Sequence, residues 1–484
     1  MSSSAKGAAS RAQQRSPSSG SEFRAFLTRL HFYIGLFVGP FIFIAALSGT
    51  LYVLTPQLEN YLYRDYLTGS PTGESQSLKH QIHAARAYLG GDRAVFAVRP
   101  ATFQGGTTRV MFADPQLGES ETRAVFVDPV TLDVKGDLVV YGTTGILPLR
   151  LFIDLFHRNL HLGDLGRNYS ELAASWLWIA ALGGIVIWFW QRGMARARSA
   201  GDGVSRLKRV HTLLALWIAL GLFFLSATGL TWSRYAGDNI DALRSALNWV
   251  TPSVSLKLDA APQMPGMDMA HMDHSAHMDH VMPGMAPAPV DGLPDPATLM
   301  DAVLATARKA GIESPLVEIR PSKSADKAWM VREYDRSTPT QVDTIAIDPR
   351  SMTVTSRADF DTFTIIPKLI RWGIDIHMGI KFGLINQIVV GAIGAALCAS
   401  ILYGYALWWK RRPAPGAPAR TLAQSFLYLG WTARAGVLLV AIALGFALPL
   451  MGITLLVFVA VDAVRWWLDK SRRASRRVAT AAAE

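Results

Sequence analysis

The sequence predicts an α-helical multi-pass membrane protein with six spans and two α+β modules set between them. Three observations carry this reading: six long apolar runs, basic residues gathered in the gaps on one side of those runs, and a pattern that occurs twice along the chain. Half of the 484 residues are hydrophobic and only 18% are charged, against about 25% charged in a soluble domain. The single cysteine, Cys398, excludes an internal disulfide and a cysteine-clamped zinc or iron–sulfur centre.

About 20 helical residues cross a ~30 Å hydrocarbon core. The apolar runs are Phe32–Leu54, Leu172–Trp190, Leu213–Trp232, Ile385–Trp409, Phe426–Phe446 and Leu448–Trp467. The first is longer than a signal-peptide core, and no small-residue cleavage site follows Leu51–Leu54, so it is expected to stay in the protein. Orientation follows from lysine and arginine. Basic clusters occupy the N-terminal arm (Arg11, Arg15, Arg24, Arg29), the gap between the second and third runs (Arg192 to Arg209), Lys410–Arg412, and the tail from Lys470 to Arg477. With six spans, all four fall on one side, which the rule assigns to the cytoplasm. The formal charge of +11 is then explained by topology, and nucleic acid is not a partner.

The expected organisation is a cytoplasmic arm (1–30), a first span (31–54), an extracytoplasmic module (55–150), an interfacial helix with the second span (151–191), and a basic loop (192–210). The third span (211–233), a second module (234–360), an interfacial helix with the fourth span (361–410), a fifth and sixth span (426–468) and a cytoplasmic tail (469–484) follow. In the first module Leu78–Leu89 reads as a helix, and Ala94–Arg99, Thr108–Ala113 and Ala124–Asp128 alternate as strands. In the second, Pro296–Ala310 reads as a helix, and Leu316–Arg320, Ala328–Tyr334 and Thr344–Asp348 as strands.

The halves repeat each other. Arg29-Leu30-His31 opens the first span and Arg209-Val210-His211 the third, with Gly49 and Gly229 eighteen residues after each histidine. Each module contains an Asp-Pro turn, Val127-Asp128-Pro129 and Ile347-Asp348-Pro349. Each then runs through an amphipathic stretch with a histidine, Asp154–Gly163 and Asp375–Gly379, into the next span.

Five of the eleven histidines (His31, His157, His161, His211 and His377) therefore sit at the ends of the first four spans. His31 and His211 begin outward-going spans; His157 or His161, and His377, precede inward-going ones. An ionisable ring near hydrocarbon is costly without a partner, which makes each a site candidate; the alternative is an interfacial ring bonded to a headgroup or carbonyl. Zinc wants four ligands, and no Cys, Asp or Glu accompanies His31 or His211 in the sequence. A proton relay wants carboxylates inside the first four apolar runs, which have none. Haem iron needs only two axial ligands, one from each helix, and small residues such as Gly35 and Ala215 stand beside the histidines. Two such centres would divide the span between the faces. Arg158 and Arg371 are either partners for haem propionates or simple interfacial arginines.

These residues resemble the PepSY-associated transmembrane helix family of bacterial inner-membrane proteins, which includes siderophore-iron reductases. The likeness covers about residues 24–412 and rests on Leu30–Pro40, the His157-Arg158-Asn159-Leu160 turn with Gly163 and Gly166, Val210-His211, and Ile376-His377-Met378-Gly379 followed by Phe382-Gly383. The modules resemble PepSY domains at Val127–Thr131 and Ile347–Ser351. The resemblance implies two b-type haems and delivery of electrons across the membrane to ferric chelates in the periplasm. Its pattern places the outer ligand at His157, whereas the repeat register, read from His161-Leu162-Gly163 over His377-Met378-Gly379, points to His161.

Residues 264–285 read MPGMDMAHMDHSAHMDHVMPGM. Thioethers select Cu(I) and imidazole accepts Cu(II), so His271, His274, His277 and His280 with Met267, Met269, Met272 and Met278 form a candidate copper tract; the alternative is a low-complexity linker without metal. The expected function is a di-haem oxidoreductase passing electrons to a ferric siderophore or Cu(II) complex. The donor is external, a quinol or a cytoplasmic reductase, because no glycine-rich dinucleotide fingerprint follows a strand. The competing reading is a copper-binding or transport membrane protein without redox activity.

Overall fold

Pro40 lacks the N–H that would bond the Leu36 carbonyl one helical turn earlier, and the first apolar run registers that loss. Helix α1 (Ser19–Tyr33) gives way to a π-helical turn over Ile34–Val38 before α2 (Gly39–Val53) resumes. The Leu36 carbonyl instead accepts a hydrogen bond from the Tyr405 hydroxyl at 2.9 Å. The computed structural model describes residues 19–192, 203–258, 294–412 and 421–481, apart from positions 92, 119, 143 and 323. The start of the N-terminal arm, most of the basic loop, and the Met/His tract with His271, His274, His277, His280, Met267, Met269, Met272 and Met278 lie outside the described residues.

Short helices α3 (Thr55–Leu62) and α4 (Arg64–Leu67) lead to α5 (Leu78–Tyr88) and strands β1 (Val95–Arg99), β2 (Thr108–Phe112), β3 (Glu121–Val127) and β4 (Val134–Tyr141). Then come α6 (Pro148–Asn159), α7 (Gly163–Arg192), α8 (Gly203–Leu230) and α9 (Tyr235–Ala246). The second half continues with α10 (Pro296–Lys309), β5 (Val317–Arg320), β6 (Trp329–Glu333), β7 (Thr344–Asp348) and β8 (Thr353–Ala358). It ends with α11 (Ile365–His377), α12 (Gly383–Arg411), α13 (Leu422–Leu427), α14 (Trp431–Ala447) and α15 (Pro449–Ala481). Among the described residues, five helices are long and apolar enough to span a bilayer: Gly20–Val53, Gly163–Arg192, Arg206–Leu230, Gly383–Arg411 and Pro449–Leu468. The protein is thus a multi-pass membrane protein. The fifth apolar run is not one helix: Gly430, in extended conformation, separates α13 from α14. The remaining apolar helix, α14, has 17 residues, about 26 Å at 1.5 Å per residue.

The chain divides into two units. One comprises Met1–Ala46, Leu162–Ile240 and Ala395–Glu484. Here α7 packs along α8, and α1 and α15 pack on α7. Ile34, Trp176, Leu230 and Met451 form its apolar centre, and Trp176 Nε1 donates to Thr454 Oγ1 at 3.1 Å. Phe26, Leu422 and Leu429 make a second cluster that takes in Leu30 and Tyr33, so α13 and α15 brace the helix that carries His31. Glu171, just before the second apolar run, is fully buried. Its carboxylate accepts from the Tyr235 and Ala236 N–H groups at 2.9 and 3.1 Å, satisfying the orphan donors that open α9.

The other unit comprises Leu47–His161 and Asp241–Gly394. Its two modules do not form separate sheets. They join edge to edge, through the β1–β5 pair with Val98 opposite Ile319, into one antiparallel sheet of order β4-β3-β2-β1-β5-β6-β7-β8. Joining at the first strand of each meander removes two sheet edges that would otherwise be open to pairing. Helices α5 and α10 bury Ile82, Ala85, Met300 and Val303 against Val98, Val110, Ile319 and Ile345 of the sheet. The outer strands β4 and β8 escape sequence patterning because neither has a fully buried face: β4 is half-buried almost throughout and β8 mostly exposed. The repeated Asp-Pro turns close the β3–β4 and β7–β8 hairpins. Asp128 accepts from Ser70 N and Val130 N at 2.7 and 2.9 Å, and Asp348 accepts from Arg350 N at 2.9 Å. At the seam, the fully buried Glu318 accepts from Arg99 Nε at 2.7 Å, Arg320 Nε at 2.5 Å and Arg332 Nη2 at 2.6 Å.

Candidate functional site

Two pairs of histidines stand out, each pair within one unit. In the first unit, α1 carries His31 and α8 carries His211, with ring centres 6.5 Å apart and planes at 65°. Each ring is fixed from behind by a neighbouring helix: His31 Nδ1 lies 3.0 Å from the Ala180 carbonyl of α7, and His211 Nδ1 lies 2.8 Å from the Ser400 carbonyl of α12. A carbonyl only accepts, so Nδ1 must carry the proton in both rings, which leaves each Nε2 with a free lone pair. Imidazoles that bind metals are oriented in this way by their outer contacts.

The approach of a ring to a helix backbone needs an absent side chain. A Cβ on Gly184 would sit 3.3 Å from His31 Cε1, and one on Gly404 would sit 3.5 Å from His211 Cε1. Gly184 and Gly404 each follow the accepting carbonyl by four residues. On the same helix as His31, one turn on, a Cβ added at Gly35 would meet nothing within 4 Å.

The second unit holds His157 near the end of α6 and His377 at the end of α11. Ser48 Oγ is 3.0 Å from His157 Nδ1, and a Cβ on Gly49 would meet His157 Cε1 at 3.1 Å. Burial, and then the neighbouring His157, push the His377 pKa below its ordinary value, keeping that ring neutral. Next to His377, Asp375 is fully buried and pairs with Arg336 Nε at 2.6 Å. Asn386 Nδ2 holds the Ile376 carbonyl at 2.9 Å. Arg158 donates to the Tyr141 hydroxyl at 2.8 Å, and Arg371 lies within electrostatic reach of Asp375.

The structure corrects the repeat register. Asp128 and Asp348, the left-handed Leu132 and Met352, and the positive-φ Gly163 and Gly383 that open α7 and α12 all differ by the same interval, which carries His157 onto His377. His161 falls four residues out of step. It is exposed, lies in left-handed conformation with φ 57°, and its ring packs at a tilt of 32° against Phe152, with centres 4.5 Å apart. The shorter reading matched His-Leu-Gly to His-Met-Gly without the turn geometry that sets the spacing. Replacing His161 by alanine should therefore leave any cofactor spectrum unchanged, while Gly49→Ala, by pressing on His157, should diminish it; difference spectra of the two purified variants check both.

The family model for the PepSY-associated TM region matches residues 28–411. The chain belongs to the PepSY-associated TM region family. Its match takes in all four histidines of the two pairs and stops before α13, α14 and α15. The chain matches no curated protein. The Ala180 and Ser400 carbonyls, Ser48, Gly184 and Gly404 were not singled out by sequence reasoning. A backbone acceptor has no sequence signature, though the matched glycines were visible once the repeat interval was known.

Proposed function

We propose that this PepSY-associated protein is a di-haem electron conduit of the bacterial inner membrane, with both termini in the cytoplasm and its joined sheet in the periplasm. His31 and His211 are assigned to one b-type haem and His157 and His377 to the other. The observation that carries the reading is the inner pair: two rings from different helices, their centres 6.5 Å apart, each with Nδ1 on a carbonyl and the Nε2 lone pair left available. Imidazole nitrogens about 2 Å from a shared metal, with ring centres about 1.1 Å further out, place those centres roughly 6 Å apart, and the observed 6.5 Å agrees with that. The open side of Gly35 leaves room beside His31 for a macrocycle. A haem held by two imidazoles supplies reversible one-electron transfer and offers oxygen no vacant position.

The chain's own residues orient the ligands and exclude competing ones. The carbonyls of Ala180 and Ser400 fix the tautomers of His31 and His211, the Ser48 hydroxyl at 3.0 Å from Nδ1 orients the His157 ring, and the glycines let the rings seat against the helices. The acceptor is a ferric siderophore or Cu(II) complex on the periplasmic side, and the donor a quinol or a cytoplasmic reductase. A reduced-minus-oxidised absorption spectrum of purified protein tests the reading: b-type bands are expected, and a colourless preparation grown with adequate haem would overturn it. The tract 264–285 is assigned to copper. Its deletion should abolish copper retention in equilibrium dialysis while leaving haem content intact; loss of haem instead would place the tract at the cofactor.

A further inference from the structure

The outer pair is held from two directions. His157 takes its orientation from Ser48 of α2, 3.0 Å away. His377 ends α11, and the turn that follows it is gripped by the β6–β7 loop of the joined sheet. That loop is braced on itself: Gln341 N donates to the Asp335 carbonyl at 2.9 Å, and the Asp335 carboxylate accepts from Ser337 N and Oγ at 3.0 and 2.6 Å. Arg336 reaches residues on both sides of His377. Its Nε pairs with Asp375 at 2.6 Å, and its Nη1 donates to Met378 Sδ at 3.7 Å. Further on, Thr338 Oγ1 donates to the Lys381 carbonyl at 2.8 Å. Lys381 Nζ returns one bond to the Ser337 carbonyl at 3.3 Å and another to Thr340 Oγ1. Asp375 is fully buried, and Arg336 and Lys381 are buried with it. The Asp375 carbonyl accepts from Ile380 N and Lys381 N at 2.8 and 3.2 Å, closing the turn. The ion pair belongs to the second half alone. The interval that carries His157 onto His377 sets Gln116 and Leu155 at the positions of Arg336 and Asp375, and neither of those side chains is charged.

We propose that the β6–β7 loop positions the outer centre: Arg336, acting through Asp375 and Met378, sets where the His377 ring stands and how readily the iron it holds is reduced. The step to iron rests on the proposed function; the grip of the loop on the turn does not. Contacts behind a ligating imidazole orient it and alter its strength as a ligand. A charge fixed in a buried, weakly screened position also acts on a nearby redox centre through its field. The guanidinium favours reduced iron, which carries one positive charge fewer, and the carboxylate favours oxidised iron. Held as a pair they largely cancel, so removing either one tips the balance, in opposite directions. The joined sheet then serves the electron path directly, through one of its own loops.

The test uses full-length protein in detergent. A His31→Ala background, which should retain only the outer centre, lets its midpoint potential be read by spectroelectrochemical titration. Arg336→Gln should lower that potential and Asp375→Asn should raise it, while Arg336→Lys, which keeps the charge, should restore most of the Arg336→Gln shift. In a His157→Ala background, which should retain only the inner centre, neither Arg336→Gln nor Asp375→Asn should move the potential. Loosening of the fold without a positioning role would shift both variants the same way, so the opposite signs are decisive. Where Arg336→Gln folds poorly, the rise in Asp375→Asn carries the test. Hydrogen–deuterium exchange in peptides covering 374–383 should speed up by roughly tenfold or more in Arg336→Gln, with or without haem. An outer potential indifferent to both substitutions, shifts of one sign, inner and outer centres moving alike, or unchanged exchange overturns the assignment. A colourless protein that shows the faster exchange sinks the electron-transfer reading alone, and a coloured protein with an indifferent outer potential sinks this inference alone.

Discussion

Replacing either His31 or His211 by alanine should remove one haem and reduce the reduced-minus-oxidised amplitude by about half, while either His157→Ala or His377→Ala should remove the other. The two rings of a pair act together, because an iron centre loses its grip when one axial ligand goes. Alanine at both His31 and His211 should then cost no more haem than alanine at one, whereas His31→Ala combined with His377→Ala should leave none. This pattern of non-additivity within a pair and additivity between pairs is the decisive readout. It tests the pairing itself, which follows from the 6.5 Å separation of the first two rings and from the repeat interval that couples His157 to His377. Haem content measured by pyridine extraction alongside the spectrum separates loss of cofactor from a change of its colour. Four equal partial losses that add without regard to pairing would sink the assignment.

The second large effect concerns the seam of the sheet. Glu318→Ala would leave Arg99, Arg320 and Arg332 gathered around an empty position, and breaking a buried ion cluster by removing one partner costs about 3–5 kcal/mol. Hydrogen–deuterium exchange in peptides covering Val95–Arg99 and Val317–Arg320 is expected to speed up by roughly two to four orders of magnitude where it is limited by opening of the seam. Unchanged exchange would show that apolar packing alone holds β1 to β5. The pH dependence has a definite sign. Burial by itself would raise the Glu318 pKa, but the surrounding guanidinium groups, Arg332 foremost, hold it well below the ordinary 4.5. A carboxylate whose folded pKa is depressed contributes stability above its unfolded pKa and loses it as pH falls toward the folded one. Exchange at the seam should therefore accelerate as pH is lowered below about 4.5 after correction for intrinsic rates, and Glu318→Ala should remove most of that acceleration.

Much of the protein was legible in the chain. Helices α5 and α10 begin where the sequence places them, at Leu78 and Pro296, and β7 spans Thr344–Asp348 as read from its alternation. These elements carry their own signals, a cap and a one-sided apolar pattern. Strands β4 and β8 do not, since an edge strand shows water one side and often a polar residue on the other. The fifth apolar run looked continuous because composition does not register the extended Gly430. The Arg336–Asp375 pair was invisible for a different reason: its members come from a loop and a helix well separated in sequence, and no periodicity along the chain links them.

The sequence by itself determined the membrane class, the duplication, and which histidines stand at span ends, because hydrophobic length and residue type act locally and need no partner. Tertiary structure alone decided that the modules share one sheet and that Nδ1 of His31 and His211 faces backbone carbonyls. Those outcomes depend on turn geometry and on atoms of the backbone itself, which are the same at every position until folding brings particular ones together.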